Sequence, residues 1–173
     1  MLQVPICIFD AKNSVLCPQC ESKLESGQLT KADVDASMKL AKLAKSIPEI
    51  DKFSLNSCRQ IGLNHVMYLS RTDIEATRKS RTLYRALSGE FTGKLWLVES
   101  EASDRKFIED LFFPTKILSI NAVWAPGGLQ KTKVIVSGKW TSRFPIDITQ
   151  VQNIVKELRQ LDIVIEFEEG GKK

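Results

Sequence analysis

The chain of 173 residues has a single histidine, His65, and that scarcity removes most familiar hydrolytic chemistry. A Ser-His-Asp or Cys-His nucleophilic site would have to be built on His65, which sits in Leu63-Asn64-His65-Val66-Met67-Tyr68-Leu69. That context reads as a strand, with the imidazole partly exposed or satisfied by a hydrogen bond. No glycine loop of the Walker or dinucleotide type is present, so the pattern points away from an enzyme and from a small-molecule substrate. No apolar run reaches the ~20 residues that cross a bilayer, and residues 1–10 lack the basic start and long apolar core of a secretory signal. A cytoplasmic protein without a membrane partner is expected.

Acidic residues are missing altogether from 111–145, while Lys116, Lys131, Lys133, Lys139 and Arg143 lie inside that span. A second basic cluster, Arg78, Lys79, Arg81 and Arg85, has only Asp73 and Glu75 close by, and the charged residues of 157–169 are mostly acidic. The total of 25 lysines and arginines against 21 acids gives only +4, so the distribution carries more information than the sum. Two basic segments become the candidates for contact with nucleic acid.

With 43% hydrophobic and 27% charged residues the chain has the profile of a folded globular protein. Residues 6–20 read as a hairpin carrying cysteines. Thr30 and Asp33 match a capping box, after which Val34, Met38, Ala41, Ala44 and Ile47 recur at helical spacing until Pro48. Strands follow at 53–57 and 63–70, then a helical region at 74–88 and a buried strand at 95–98. The order then repeats. Ser103 caps a helix that ends before Pro114, strands at 117–124 and 133–137 flank the Pro126-Gly127-Gly128 turn, Asp147 starts another helix, and 163–167 is the last strand. Each unit is too short to bury much surface alone, which predicts an α+β protein of two small domains.

The helical region at 74–88 contains a contradiction. In one unbroken helix at ~100° per residue, Ile74 would lie about half a turn from the Leu83 and Leu87 face. A break near residues 77–81 removes the conflict and puts Arg78-Lys79-Ser80-Arg81 at the junction of two helices, where backbone N–H groups and basic side chains would form a site for phosphates. A solvated helical surface is the plainer reading of the same arginines.

Cys17-Pro18-Gln19-Cys20 is a knuckle whose two-residue spacing lets both thiolates address one tetrahedral ion, and Cys7 could supply a third ligand. Cys58 is the best remaining thiol for the fourth, with Asp10 and His65 weaker choices. Zinc in this position would be structural. A redox CxxC and plain reduced cysteines stay open as alternatives.

At this point the sequence resembles a known family. Val4-Pro5-Ile6-Cys7, Asp10-Ala11-Lys12, Leu16-Cys17-Pro18-Gln19-Cys20 and Lys23-Leu24 look like the opening of the archaeal NusA-like transcription factors. Arg105-Lys106-Phe107-Ile108-Glu109-Asp110-Leu111 and Ile165-Glu166-Phe167 resemble the same family further on, so that the similarity extends over 2–168. The resemblance implies two tandem type II KH domains after a small zinc-ribbon-like hairpin: 1–28 the cysteine-bearing hairpin, and 29–100 and 101–168 the KH-like domains; the glycine- and lysine-bearing residues 169–173 are expected as a disordered tail.

It also implies single-stranded RNA as partner, and a part in transcription elongation or termination alongside RNA polymerase or the ribosome. KH domains grip the RNA backbone with a GxxG loop. Here the first domain has Arg78, Lys79, Ser80 and Arg81 in that position, followed by Arg85, and the second offers Lys131, Lys133, Lys139, Trp140 and Arg143, without the glycines. Side chains with a Cβ hold RNA further off, so the alternative is a protein-interaction adaptor with little direct RNA binding. Trp140, beside Lys139, could stack on a base, whereas Trp124, on a strand before a turn, is expected in the core.

Overall fold

The computed structural model describes residues 1–141 and 144–168. They form an α+β protein with two three-stranded sheets, and the chain divides into two compact units, Met1–Glu101 and Ala102–Lys173.

The first unit runs α1 (Ile8–Asn13), α2 (Pro18–Glu25), α3 (Lys31–Ala44), a 3-10 turn (Pro48–Lys52), β1 (Leu55–Ile61), β2 (Asn64–Leu69), α4 (Arg71–Lys79), α5 (Arg81–Gly89) and β3 (Lys94–Glu99). β1 and β2 are antiparallel across a turn in which Gly62 has φ 59°. β2 and β3 are parallel, a pairing that requires a crossover connection, here made by α4 and α5. Leu40, Ile50, Phe53, Leu55, Met67, Leu69, Ile74, Leu83 and Leu87 fill the core beneath the sheet.

Residues 6–20, expected as a hairpin, are helical instead. Pro18 occupies the first turn of α2, where its fixed φ suits a helix and its missing N–H costs nothing; in a strand the same residue would remove a ladder bond. Ser14, in the left-handed region at φ 55°, stops α1. The opening segment is not a separate knuckle either. Leu2, Ile6, Ala11, Cys20 and Leu29 are buried in one cluster with Leu40 and Phe53, and Gln3 pairs with the chain entering β1 through Gln3 N–H to Phe53 O, 3.0 Å, and Leu55 N–H to Gln3 O, 2.9 Å.

Asp33 ties this unit together. Its carboxylate closes the capping box by accepting from Thr30 N–H at 2.8 Å, accepts the Cys58 N–H of β1 at 2.7 Å, and pairs with Arg59 at 3.1 Å. The start of α3 is thereby fixed to β1 by a buried, fully satisfied charge. Asp73 does similar work for α4, accepting Ser54 N–H at 2.7 Å while its own N–H is capped by Ser70 at 3.3 Å.

His65 is buried on β2, its ring 5.1 Å from that of Phe91, and among the described residues its Nδ1 has no hydrogen-bond partner. Burial, reinforced by the nearby Lys39 charge, holds the imidazole below its ordinary value of 6.5, with Asp35 and a backbone hydrogen bond at Thr92 opposing.

The second unit runs α6 (Asp104–Phe112), β4 (Ile117–Trp124), β5 (Gln130–Ser137), α7 (Ile148–Arg159) and β6 (Ile163–Glu168). β4 pairs antiparallel with β5, and β5 parallel with β6. Phe107, Ile108, Leu111 and Phe112 on α6, Val151, Ile154 and Val155 on α7, and Val134 and Val136 on β5 are buried. Arg159 closes the helical layer: it pairs with Asp104 at 3.0 Å, donates to Ala102 O at 3.0 Å, and lies 4.6 Å over the Phe107 ring. Residues 169–173, expected as a disordered tail, lie outside the described residues.

Two outcomes follow for stability. Asp33→Ala strands the Cys58 N–H without an acceptor and removes a helix cap, and should cost about 2 kcal/mol, read as a lower denaturant midpoint at unchanged slope. For His65 the unfolded chain takes up a proton at the ordinary 6.5 while the folded chain resists it. The first unit is therefore most stable above that value and loses stability as pH falls toward the lowered folded value. His65→Leu should flatten this part of the melting-temperature profile; an unchanged slope would contradict the assignment.

Candidate metal centre and nucleic-acid interface

Three cysteines and one carboxylate converge at the start of the chain. Cys7 is the residue before α1, Asp10 lies in the first turn of α1, Cys17 precedes α2 and Cys20 lies in its first turn. One ligand atom from each of the four falls within 4.8 Å of the others, so the group could bind a metal ion. Cys7 Sγ is 3.9 Å from Cys17 Sγ and 3.6 Å from Cys20 Sγ. A tetrahedral ion with metal–sulfur bonds of about 2.3 Å separates its sulfurs by roughly 3.8 Å, so these spacings fit one shared ion.

Backbone N–H groups point into the cluster. Cys7 N–H points at Cys20 Sγ at 3.5 Å, and Cys17 N–H donates to Asp10 Oδ2 at 3.0 Å. Both Cys17 and Cys20 sit at the N-terminus of α2, where the helix dipole favours negative charge. Without an ion, burial pushes the Cys20 thiol up to about 12. The Cys17 N–H, with help from the Cys20 and Cys17 side chains, holds Asp10 below its ordinary 3.8. Cys7 is exposed, Cys17 half-buried and Cys20 buried.

Cys58, expected as the fourth ligand, is not in this group among the described residues. It lies on β1, its N–H held by Asp33 and its side chain in the core, where burial first and Asp33 second push its thiol up to about 12. Asp10 stands in its place.

The helical region breaks where the phase conflict predicts. α4 ends at Lys79 and α5 begins at Arg81, with Ser80 extended between them at φ −122°, ψ 106°. Ser80 finishes one helix and starts the next, its Oγ accepting Leu83 N–H at 3.2 Å. The break lets Ile74 and Thr77 of α4 and Leu83 and Leu87 of α5 all reach the core. Lys79, Arg81 and Arg85 are exposed at this junction and Arg78 is half-buried.

In the second unit the candidates are more scattered. Lys131 and Lys133, two residues apart on β5, share a sheet face and are half-buried; Lys133 is paired with Glu166 of β6 at 3.1 Å. Lys139 and Trp140 are exposed after β5, and Arg143 lies outside the described residues. Trp124, expected in the core, is 72% exposed. It ends β4 at the Pro126-Gly127-Gly128 turn, so its strand character gave it no covering layer at that end of the hairpin. Leu129 across the turn is exposed too.

Among the described residues no helix is long and apolar enough to cross a membrane. No family model and no curated protein matches the chain. A solved structure described as the crystal structure of APE1850 is similar over 74% of this chain and 95% of that one, with 16% identity and a TM-score of 0.43.

The thiols should react in a set order. In reduced, metal-free protein a maleimide should label Cys7 first and Cys17 next, leaving Cys20 and Cys58 protected until the chain unfolds. Mass spectrometry of partly labelled protein reads the order, and early labelling of Cys20 would contradict the burial described.

Proposed function

We propose that the chain is a non-catalytic RNA-binding protein of the NusA-like kind, acting in the cytoplasm in transcription elongation or termination, with its two units as KH-type domains. The observation that carries this reading is the α4–α5 junction: two helices meet at Ser80 with Lys79, Arg81 and Arg85 exposed around the first turn of α5. Helix N-termini leave backbone N–H groups for anions, and cations at the same place suit the repeating phosphates of a single strand. The order helix, strand, strand, helix, helix, strand, with an antiparallel and then a parallel pairing, supports a KH-type first unit. The second unit would contribute Lys131, Lys139 and Trp140.

With no glycine at the junction, Cβ atoms hold the strand further from the backbone than a GxxG loop would. Phosphate attraction therefore supplies most of the affinity, and base selectivity is weak. The same missing glycines favour a second reading, an adaptor that meets RNA polymerase or the ribosome through protein contacts.

Within this reading the metal is zinc, held by Cys7, Cys17 and Cys20 in a structural role: it would join the start of α1 to the start of α2.

Fluorescence anisotropy with single-stranded RNA across a salt series tests the RNA reading. Replacing Arg78, Lys79 and Arg81 together with alanine should weaken binding and flatten the logarithmic salt slope by roughly 2, at about 0.7 per lost phosphate contact. Absence of binding at low salt, or binding indifferent to the three substitutions, would overturn the site and favour the adaptor.

A further inference from the structure

We propose that Asp10 is the fourth ligand of the metal site, completing a closed sphere of three thiolates and one carboxylate. The inference rests on the reading of Cys7, Cys17 and Cys20 as metal ligands and goes beyond it by fixing the coordination sphere, and with it the kind of site this is. Three protein ligands with an open fourth position describe a reactive metal centre, whereas four protein ligands describe a structural one.

The placement of Asp10 carries the argument. Its side chain is buried, at 2% exposure for the residue, and among the described residues no lysine or arginine pairs with it. Hydrogen bonds and opposite charge both stabilise a buried carboxylate; Asp33 in the same unit has both, from the Cys58 N–H and Arg59, whereas among the described residues Asp10 has the Cys17 N–H and no cation. What surrounds it is three sulfurs, all within 4.8 Å of a carboxylate oxygen.

Oδ2 accepts the Cys17 N–H at 3.0 Å, which fixes the carboxylate and the chain entering α2 while a carboxylate oxygen stays within 4.8 Å of all three sulfurs. Asp10 and Cys7 are three residues apart on one side of the α1 start, as Cys17 and Cys20 are on α2, so the cap residue and the first turn of each short helix together contribute a pair of ligands. A divalent ion would supply the missing positive charge and link the pairs. Carboxylate oxygens and thiolates together suit zinc.

The full chain is titrated with Zn2+ against a chromophoric chelator, and with Co2+ as a spectroscopic substitute. Asp10→Asn separates the two duties, because the amide oxygen still accepts the Cys17 N–H but is a poor ligand. Wild type should bind one Zn2+, and Asp10→Asn should bind at least about 100-fold more weakly, the upper end of what losing an outer-shell partner costs. Asp10→Cys should restore binding and strengthen the sulfur-to-cobalt charge-transfer band by one thiolate over wild type. Cys58→Ser should change neither.

If Asp10→Asn binds as tightly as wild type while Cys17→Ser does not bind, the metal reading stands and the Asp10 assignment fails. Should wild type bind no Zn2+, both fail. For an Asp10→Asn chain that does not fold, the comparison of cobalt bands between wild type and Asp10→Cys decides: equal intensities would overturn the assignment.

Discussion

The first unit depends on one buried carboxylate. Asp33 satisfies the opening turn of α3, the N–H of Cys58 on β1 and the guanidinium of Arg59 at the same time, so the helix cannot slide along the sheet without breaking its bonds to Cys58 and Arg59. Everything that follows in the chain inherits that register. β1 sets β2 through Cys58 opposite Met67, and β2 sets β3 through Met67 opposite Leu97. The parallel step between β2 and β3 then obliges α4 and α5 to cross over the core. Since Ile74 and Leu87 cannot both face that core from a single straight helix, the crossover breaks at Ser80. The basic junction is thus a product of packing geometry before it is a place for any ligand.

Much of this order was legible in the sequence where two signals agreed. The capping box at Thr30 and Asp33, the stop at Pro48 and the phase conflict between Ile74 and Leu83 are local statements, and local statements survive folding. The cysteine segment misled because its spacing speaks of ligand geometry and says little of backbone conformation. Pro18 is the signal for a helix start there, and the knuckle spacing around it masks that signal. Cys58 is the one thiol left over by sequence, but Asp33, legible there only as a cap, fixes its backbone in the core. Trp124 shows the complementary failure: strand propensity forecasts pairing, but coverage depends on where a hairpin outruns its helices.

The two candidate sites belong to different physical regimes. The cysteine and Asp10 group is compact, partly buried and held by short-range geometry, so a shift of an ångström would abolish it. The α4–α5 junction is exposed and built on charge, so it tolerates displacement and acts over a Debye length of about 8 Å at physiological salt. Both lie in the first unit, and both are attached to its core: the metal group through Ala11 and Cys20, the junction through Ile74 and Leu83. Loss of that core would remove both sites together, even though they share no residue.

The parallel pairing of β5 with β6 changes what the acid-free run of sequence means. Read along the chain, the residues between Asp110 and Asp147 form a basic block. In the folded sheet the acidic C-terminal strand lies directly against it, with Glu166 opposite Ile135 in register and bonded to Lys133. β6 acts as a tethered counterion. The field over that sheet is accordingly dipolar, with an effect that falls off faster with distance than that of a bare cationic surface. A sheet with such a field orients a charged molecule that is already close and does little to gather one from afar.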